Sequence, residues 1–176
     1  SVGNSGTIYR SADLNTWTAT TPIVNVNLHA VAYKLAKFIA VGAEGTILYS
    51  ADSKTWKQAT KITPHNLNAI STNGSLSIAV GDNGAIVTSK DEITWTMATS
   101  APSSANLYGI TYTSAGNWVA VGSSGTILTS SDGLTWTTQK SGSSADLKGV
   151  GSITSLTNNL TSHQFIVVGA NGTILS

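Results

Sequence analysis

The sequence predicts an all-β fold, and three observations support this prediction. Only 10% of the 176 residues are charged and 40% are hydrophobic, while Ser, Thr and the 17 Gly make up much of the rest. This composition favours strands and turns over helices. Short apolar runs alternate with turn residues, and none shows the period of an amphipathic helix. A Val-Gly pair recurs at intervals of 39 to 47 residues. Four short strands in each repeat of this length are typical of a β-propeller blade.

The Val-Gly pair marks one position in five successive repeats: Val2-Gly3, Val41-Gly42, Val80-Gly81, Val121-Gly122 and Val168-Gly169. Within the second repeat we predict four antiparallel strands, named A to D in chain order: Leu28 to Tyr33, Phe38 to Val41, Thr46 to Ser50 and Thr55 to Thr60. The same phase predicts complete blades at 28–60, 67–99 and 107–138. Partial blades are predicted at 1–20 and 147–176.

A Ser-x-Asp-x-x-Thr-Trp segment connects strands C and D in four repeats, as SADLNTW, SADSKTW, SKDEITW and SSDGLTW. A turn aspartate accepts hydrogen bonds from nearby backbone N–H groups, and a tryptophan has the bulk to pack between neighbouring blades. We therefore predict structural roles for both residues of each segment. They are Asp13, Trp17, Asp52, Trp56, Asp91, Trp95, Asp132 and Trp136. The fifth tryptophan, Trp118, precedes a strand B and is predicted to be core as well.

These segments resemble the Asp-box, or BNR, repeats of sialidases and many other propellers, and we call the four Ser-x-Asp-x-x-Thr-Trp segments the boxes. The preceding stretch, GAEGTILYS in the second repeat, also resembles the photosystem II assembly-factor type of propeller. The resemblance covers essentially the whole chain, although the spacing from Ser to Trp is one residue shorter than in the usual box. It implies the propeller fold and says little about activity, because one fold hosts many functions.

The residues that catalysis needs are scarce. The resemblance implies a sialidase only where an arginine triad is present, and Arg10 is the only arginine. Other glycosidases need two carboxylates facing one bond. The acids outside the boxes lie in different repeats or loops: Glu44, Asp82, Glu92 and Asp146. Three histidines are available for a Ser-His-Asp triad, but nothing places them beside an activated serine: His29, His65 and His163. We expect a protein that is not an enzyme.

Charge and composition also restrict the partners. Nine Lys and Arg against eight Asp and Glu give a net charge of +1, without the basic surplus of a nucleic-acid binder. No apolar run approaches the roughly 20 residues that span a bilayer, so no membrane insertion is expected. The absence of cysteine excludes a thiolate metal site, and no cofactor or metal is predicted. The polar, lysine-poor composition resembles that of exported bacterial proteins, which predicts a periplasmic, cell-surface or secreted location.

Candidate ligand-binding residues are those that differ between repeats. The second position of strand A is polar or amphipathic but never the same, and turns on the same face add three further side chains. The candidates are His29, Asn68, Tyr108, Lys148, Glu44, Asp82 and His65. Solvated surface residues are the simpler interpretation of this set, since polar loop tips are the rule. A second candidate is an insertion at 152–163 between strands A and B of the last repeat, predicted to be a partner contact or a mobile tip.

The sequence therefore favours a non-catalytic propeller that acts as a protein-interaction or assembly scaffold. A carbohydrate-binding, lectin-like propeller is the alternative, and a glycoside hydrolase ranks third. Joining the two partial blades leaves one strand C too many. That count favours a segment of a larger propeller, or one completed by further repeats or another chain, over a small closed ring of four blades.

Overall fold

The computed structural model describes residues 1–100, 102–157 and 160–176, with side chains outside 154–163. These residues form five antiparallel sheets, named first to fifth in chain order. The first sheet contains β1 (Tyr9–Arg10) and β2 (Thr18–Ala19). The second contains β3 (Leu28–Lys34), β4 (Lys37–Gly42), β5 (Ile47–Ser50) and β6 (Lys57–Gln58). The third contains β7 (Leu67–Thr72), β8 (Ser77–Gly81), β9 (Ile86–Ser89) and β10 (Thr96–Met97). The fourth contains β11 (Leu107–Tyr112), β12 (Trp118–Gly122), β13 (Ile127–Ser130) and β14 (Thr137–Gln139). The fifth contains β15 (Leu147–Thr157), β16 (Leu160–Gly169) and β17 (Ile174–Leu175).

Each four-stranded sheet is a meander in which strands pair in chain order. The predicted all-β architecture of four-stranded antiparallel sheets is thus confirmed. Strands β1 and β2 do not pair with a strand of the fifth sheet, so within the described ranges strand pairing does not close the array on itself. Those ranges also contain no helix with the length and apolar character needed to cross a bilayer.

The hydrophobic core lies between the sheets rather than within any one of them. Alternate residues along strands B and C point forward, towards the next sheet, or backward, towards the preceding one. In the second sheet, Ile39, Val41 and Ile47 face forward and join the cluster that includes Ala79 and Val87 of the third sheet. Three further clusters join the first sheet to the second, the third to the fourth and the fourth to the fifth. Each interior sheet is therefore stabilised by both of its neighbours.

The box tryptophans belong to the backward faces. Trp56, Trp95 and Trp136 are buried, with exposed fractions of 8%, 4% and 3%, and Trp118 is buried at 1%. Trp17 is 48% exposed, so the prediction that all five tryptophans are core is wrong for this one. The reason is that a box tryptophan packs against the preceding sheet, and in the structure no sheet precedes the first.

The insertion in the last repeat is not the loop that the sequence predicted. Strands β15 and β16 pair from Leu147↔Gly169 to Thr157↔Leu160, with one register shift, between Leu147 and Gly149. The extra residues therefore lengthen a hairpin, because Ser, Thr and branched apolar residues in this stretch extend both strands in register. Residues 158 and 159 lie outside the described ranges.

Candidate functional site

One face of the array is built from the turns that connect strands B and C. Each is a single 3-10 turn, at Asn4–Gly6, Ala43–Gly45, Asp82–Gly84, Ser123–Gly125 and Ala170–Gly172. The middle residue of every turn has a left-handed backbone with φ between 51° and 56°, and its side chain is exposed. These residues are Ser5, Glu44, Asn83, Ser124 and Asn171. Five turns of one geometry thus present different side chains to solvent.

A side-chain link joins four of these turns to the sheet that follows. The backbone N–H of the middle residue donates to an Asn or Asp oxygen just before the next strand A, as Ser5 does to Asn27 at 3.2 Å. The other three bonds measure 2.9 to 3.1 Å and join Glu44 to Asn66, Asn83 to Asn106 and Ser124 to Asp146. We call these bonds the Asx links. The sequence-based predictions do not include these bonds, although an Asn-Leu or Asp-Leu pair at the start of strand A in four repeats is a detectable signal.

The four candidate ligand-binding residues in strand A all lie at β-bulges. The register of β3 against β4 shifts between Leu28 and Ala30, which leaves His29 without a partner across the ladder. The same shift isolates Asn68, Tyr108 and Lys148 in β7, β11 and β15. A bulge turns a side chain away from the direction that alternation gives it. At these four positions the side chain can therefore point towards the neighbouring sheet.

Three of the bulge residues bridge neighbouring sheets. Nδ1 of His29 lies 3.0 Å from the Leu67 carbonyl oxygen, where a protonated Nδ1 donates to it. Nδ2 of Asn68 donates to the Leu107 carbonyl oxygen at 2.9 Å, which repeats the pattern one sheet later. Tyr108 contacts Lys148, whose Nζ lies 3.5 Å from the centre of the tyrosine ring. The predicted ligand-binding residues thus join neighbouring sheets.

The remaining candidates form separate pairs on the same face. Asp82 accepts hydrogen bonds from Asn66 at 2.9 Å and from Asn68 at 2.8 Å, so both carboxylate oxygens have partners. His65 Nε2 lies 3.3 Å from Asn83 Nδ2. Glu44 forms an exposed ion pair with Lys61 at 3.4 Å. The predicted residues share a face, but these contacts distribute them over several pairs along it.

The last pair on this face is charged. Lys148 Nζ lies 3.0 Å from Asp146 Oδ2. The lysine ammonium and the Ser124 N–H lower the pKa of Asp146, and the Asp146 carboxylate in turn raises the pKa of Lys148. Because the ammonium lies over one face of the Tyr108 ring, that ring face is not free to stack on a sugar.

The box aspartates serve their own turns. Asp13 Oδ1 accepts from the backbone N–H groups two and three residues later, at 2.9 and 2.8 Å, and from the Ser11 hydroxyl at 3.0 Å. Asp52, Asp91 and Asp132 repeat the two backbone bonds at 2.7 to 2.9 Å. Hydrogen bonds to the ionised form lower a carboxyl pKa. They hold the pKa of Asp13, Asp91 and Asp132 at about 2, and that of Asp52 well below its ordinary value.

We expect these turns to lose stability in acid. A depressed carboxyl pKa contributes stability that is complete above the unfolded value, 3.8, and is lost as pH falls through the folded value of about 2. The midpoint of thermal unfolding should therefore drop between pH 4 and pH 2. An Asp91→Asn variant, measured by circular dichroism over the same range, should show a smaller drop. An equal drop in both proteins would contradict a role for the Asp91 charge.

A buried ion pair lies away from the predicted site. Lys34 Nζ in β3 is 2.5 Å from Glu92 Oε1 of the third sheet's box turn, and their side chains are 2% and 1% exposed. Lys37 Nζ donates to the Asp91 carbonyl oxygen of the same turn at 2.9 Å. The other boxes have Leu14, Ser53 or Gly133 where Glu92 stands, so this pair is a special feature of the contact between the second and third sheets.

The grooves and the possible metal-ligating residues give little further support for a site on the predicted face. A groove of about 420 Å³ next to His65 and Asn83 is shallow, and a groove of about 490 Å³ lies between the fourth and fifth sheets. Val119, Ile127 and Leu175 line the second groove. No three His, Asp or Glu residues whose side chains are described lie close enough together to hold a metal ion. The side chain of His163, the third triad candidate, lies outside the described set.

Comparison with known proteins identifies the fold. No protein-family model and no curated protein sequence matches the chain. Among solved structures it is similar to YCF48 from Cyanidioschyzon merolae, with 17% identity and a TM-score of 0.69 over 99% of this chain and 64% of that one. A structure of YCF48 bound to D1 peptide gives 19% identity and a TM-score of 0.71, over 98% of this chain and 57% of that one.

The chain is also similar in structure to an enzyme. Virginiamycin B lyase from Staphylococcus aureus gives 12% identity and a TM-score of 0.75, over 97% of this chain and 62% of that one. The chain thus spans less than two thirds of the length of each of these structures. At such low identities the likeness shows the fold and not the activity. The predicted fold class is confirmed: the chain is a β-propeller array of four-stranded antiparallel blades.

Proposed function

We propose that this protein is a non-catalytic propeller whose B–C turn face binds a segment of a protein partner. The proposal rests on the observation that the turns share one backbone geometry but expose different side chains. Five turns share one backbone geometry, while their exposed middle residues are Ser, Glu, Asn, Ser and Asn. Recognition surfaces of repeat proteins combine a rigid frame with side chains that differ between repeats.

The contacts of the candidate residues support the non-catalytic part. A general base needs a free lone pair aimed at a substrate or a nucleophile. Asp82 already accepts from two asparagine side chains, and His29 lies against a main-chain carbonyl. With Arg10 as the only arginine, the chain also lacks the arginine triad that a sialidase would need.

A peptide is the favoured class of partner. A peptide ligand is supported by the similar structure of YCF48 bound to D1 peptide. Exposed turn residues with both donor and acceptor groups suit hydrogen bonding to a main chain. A glycan is less favoured, because Lys148 occupies one face of Tyr108.

The test is selection from a phage-displayed peptide library on the immobilised chain. We expect enriched peptides whose affinity falls at least about tenfold in a Glu44→Ser, Asn83→Ser, His65→Ala variant, since a few interface residues carry most of the binding energy. Serine occupies the same left-handed position in Ser5 and Ser124, so these turn substitutions preserve the fold. A Lys54→Ser, Ile93→Ser variant in the exposed box turns is the matched control.

Three outcomes would contradict the proposal. The first is that no peptide is enriched, and the second is that the control variant weakens binding as much as the turn variant. The third is reproducible binding on a glycan array that a Tyr108→Ala variant loses, which would favour the carbohydrate-binding alternative. The expectation that the protein is exported stays a prediction from composition.

A further inference from the structure

Two lysine side chains span the contact between the second and third sheets. Lys34 and Lys37 flank the hairpin turn between β3 and β4, and both reach the third sheet's box. Lys34 pairs with Glu92 there, and Lys37 donates to the Asp91 carbonyl oxygen. Tyr49 of β5 packs against the apolar cluster of the same contact. Long side chains from the second sheet therefore fill this part of the contact.

The contact between the third and fourth sheets has shorter side chains at the same positions. The second and third repeats align without a gap, and Asn73, Leu76 and Thr88 stand where the second repeat has its two lysines and its tyrosine. Asn73 Oδ1 accepts from the Ser75 and Leu76 N–H groups at 3.0 and 2.8 Å. Asn73 thus bonds within its own hairpin instead of reaching across to the next box, and Leu76 has no polar group with which to do so.

A groove of about 820 Å³ lies in this second contact, next to the boxes of the third and fourth sheets. Its floor includes Leu76, Thr88 and Trp118, with exposed fractions of 8%, 3% and 1%. Both sheets have a neighbour on each side, so the groove arises from the residues of this contact. Hairpin turns and boxes lie at the strand ends opposite to the B–C turns, which makes the groove separate from the face described above. Its rim is polar and includes Asn73, Lys90, Asp91, Thr96 and Asp132.

We propose that this groove binds a neutral sugar of one or two rings. Sugar hydroxyls need both acceptors and donors, and the rim offers both. Asp91 and Asp132 are acceptors, and their turn hydrogen bonds hold the pKa of each at about 2, so both are ionised at neutral pH. The Asn73 amide group and the Lys90 ammonium are donors. The volume is that of a small-ligand site, and the buried floor gives the C–H groups of a sugar ring an apolar surface.

The charges of the rim disfavour other classes of ligand. Two carboxylates and one ammonium repel an anion. A metal ion would find two carboxylates from different boxes, and no group of three His, Asp or Glu suited to a metal occurs among the side chains that the structure describes. An apolar ligand would take both carboxylates out of water without giving them a partner. The inference does not rest on peptide binding by the B–C turn face.

The first test is titration of the chain with neutral sugars, followed by NMR. The probes are glucose, N-acetylglucosamine, cellobiose and chitobiose, each raised to about 20 mM to detect millimolar dissociation constants. We expect at least one probe to give saturable shifts of the Asn73 side-chain amide signals. The Asn66 amide, which bonds to Asp82 on the B–C turn face, should not move.

Two groove variants and one control follow with the sugar that binds. Thr88→Tyr, Thr96→Lys gives the third sheet the side chains that the second sheet has at these positions, and should weaken binding at least about tenfold by filling the groove. Lys90→Ala places the residue of the second box at an exposed position, and should weaken binding about three- to tenfold by removing a donor. Lys57→Thr, at the same strand position as Thr96 but outside the groove, should leave binding unchanged.

Four results would overturn the proposal. One is that no neutral probe gives a saturable shift, and another is that Lys57→Thr weakens binding as much as the groove variants. A third is stronger binding of glucuronic acid or inorganic phosphate than of any neutral probe. The fourth is loss of sugar binding in Tyr108→Ala with full binding in the groove variants, which would place the sugar on the B–C turn face. Circular dichroism checks folding, and Lys90→Ala alone decides if the double variant does not fold.

Discussion

Glu92→Ala is expected to lower the free energy of unfolding by about 3–5 kcal/mol, because it leaves a buried lysine without its counter-charge. Lys34 and Glu92 are 2% and 1% exposed. Apart from each other, Lys34 Nζ and both Glu92 carboxylate oxygens have no hydrogen-bond partner in the described part of the chain. Removal of one charge therefore leaves the other fully uncompensated. Urea denaturation at neutral pH measures the loss.

Two controls separate the buried charge from the loss of side-chain volume. A Lys34→Met, Glu92→Leu double variant should recover most of the stability, since apolar pairs often replace buried ion pairs without cost. Glu44→Ala removes the exposed partner of Lys61 and should cost no more than about 1 kcal/mol. If Glu92→Ala is as mild as Glu44→Ala, or the double variant is worse than the single one, the buried pair does not hold the sheets together.

Gly84→Ala is expected to lower the free energy of unfolding by about 2–4 kcal/mol, the second large effect. Gly84 ends a B–C turn with φ of +66°, and an added Cβ would lie 1.9 Å from the Ser103 carbonyl oxygen of the next connection. The Gly84 N–H also donates to the Ala105 carbonyl oxygen at 2.9 Å. A methyl group would thus combine left-handed strain with overpacking against main chain that is itself hydrogen-bonded.

Gly172→Ala is the matched control, because the chain offers the same turn without a neighbour. Its φ is +70°, and no atom lies within 4 Å of an added Cβ. Only the conformational cost, about 1 kcal/mol, is expected there. The difference in unfolding free energy between the two variants measures the contact between turn and next sheet. Equal losses would show that the turn conformation alone requires glycine.

The sheets and their strands could be predicted because the repeat supplies the same pattern several times. Alternation along strands such as β4 sets which residues face forward, and the Val-Gly pairs set the phase. A single strand of this length would have been ambiguous. Residue type and spacing predict that the box aspartates bond within their own turns, and their hydrogen bonds have that form.

The candidate site was less predictable, since a bulge cannot be seen in an alternation pattern. His29 and Asn68 stand out in the sequence as polar residues among small ones, but the extra residue of each bulge turns their side chains onto the next sheet. Trp17 and Trp56 end the same Ser-Ala-Asp-x-x-Thr-Trp pattern, and the presence of a preceding sheet decides which of them is buried. Lys34 and Glu92 belong to different repeats, and no spacing rule joins them.

The Asx links have a consequence for how the chain folds. Their partners are separated by 22, 22, 23 and 22 residues, although they join different sheets. Closing so short a segment costs little entropy, and proteins dominated by near-neighbour contacts fold fast. Each sheet can therefore dock on its predecessor soon after its first strand leaves the ribosome, without waiting for the rest of the chain. Assembly of the array is expected to proceed in the direction of synthesis, one sheet at a time.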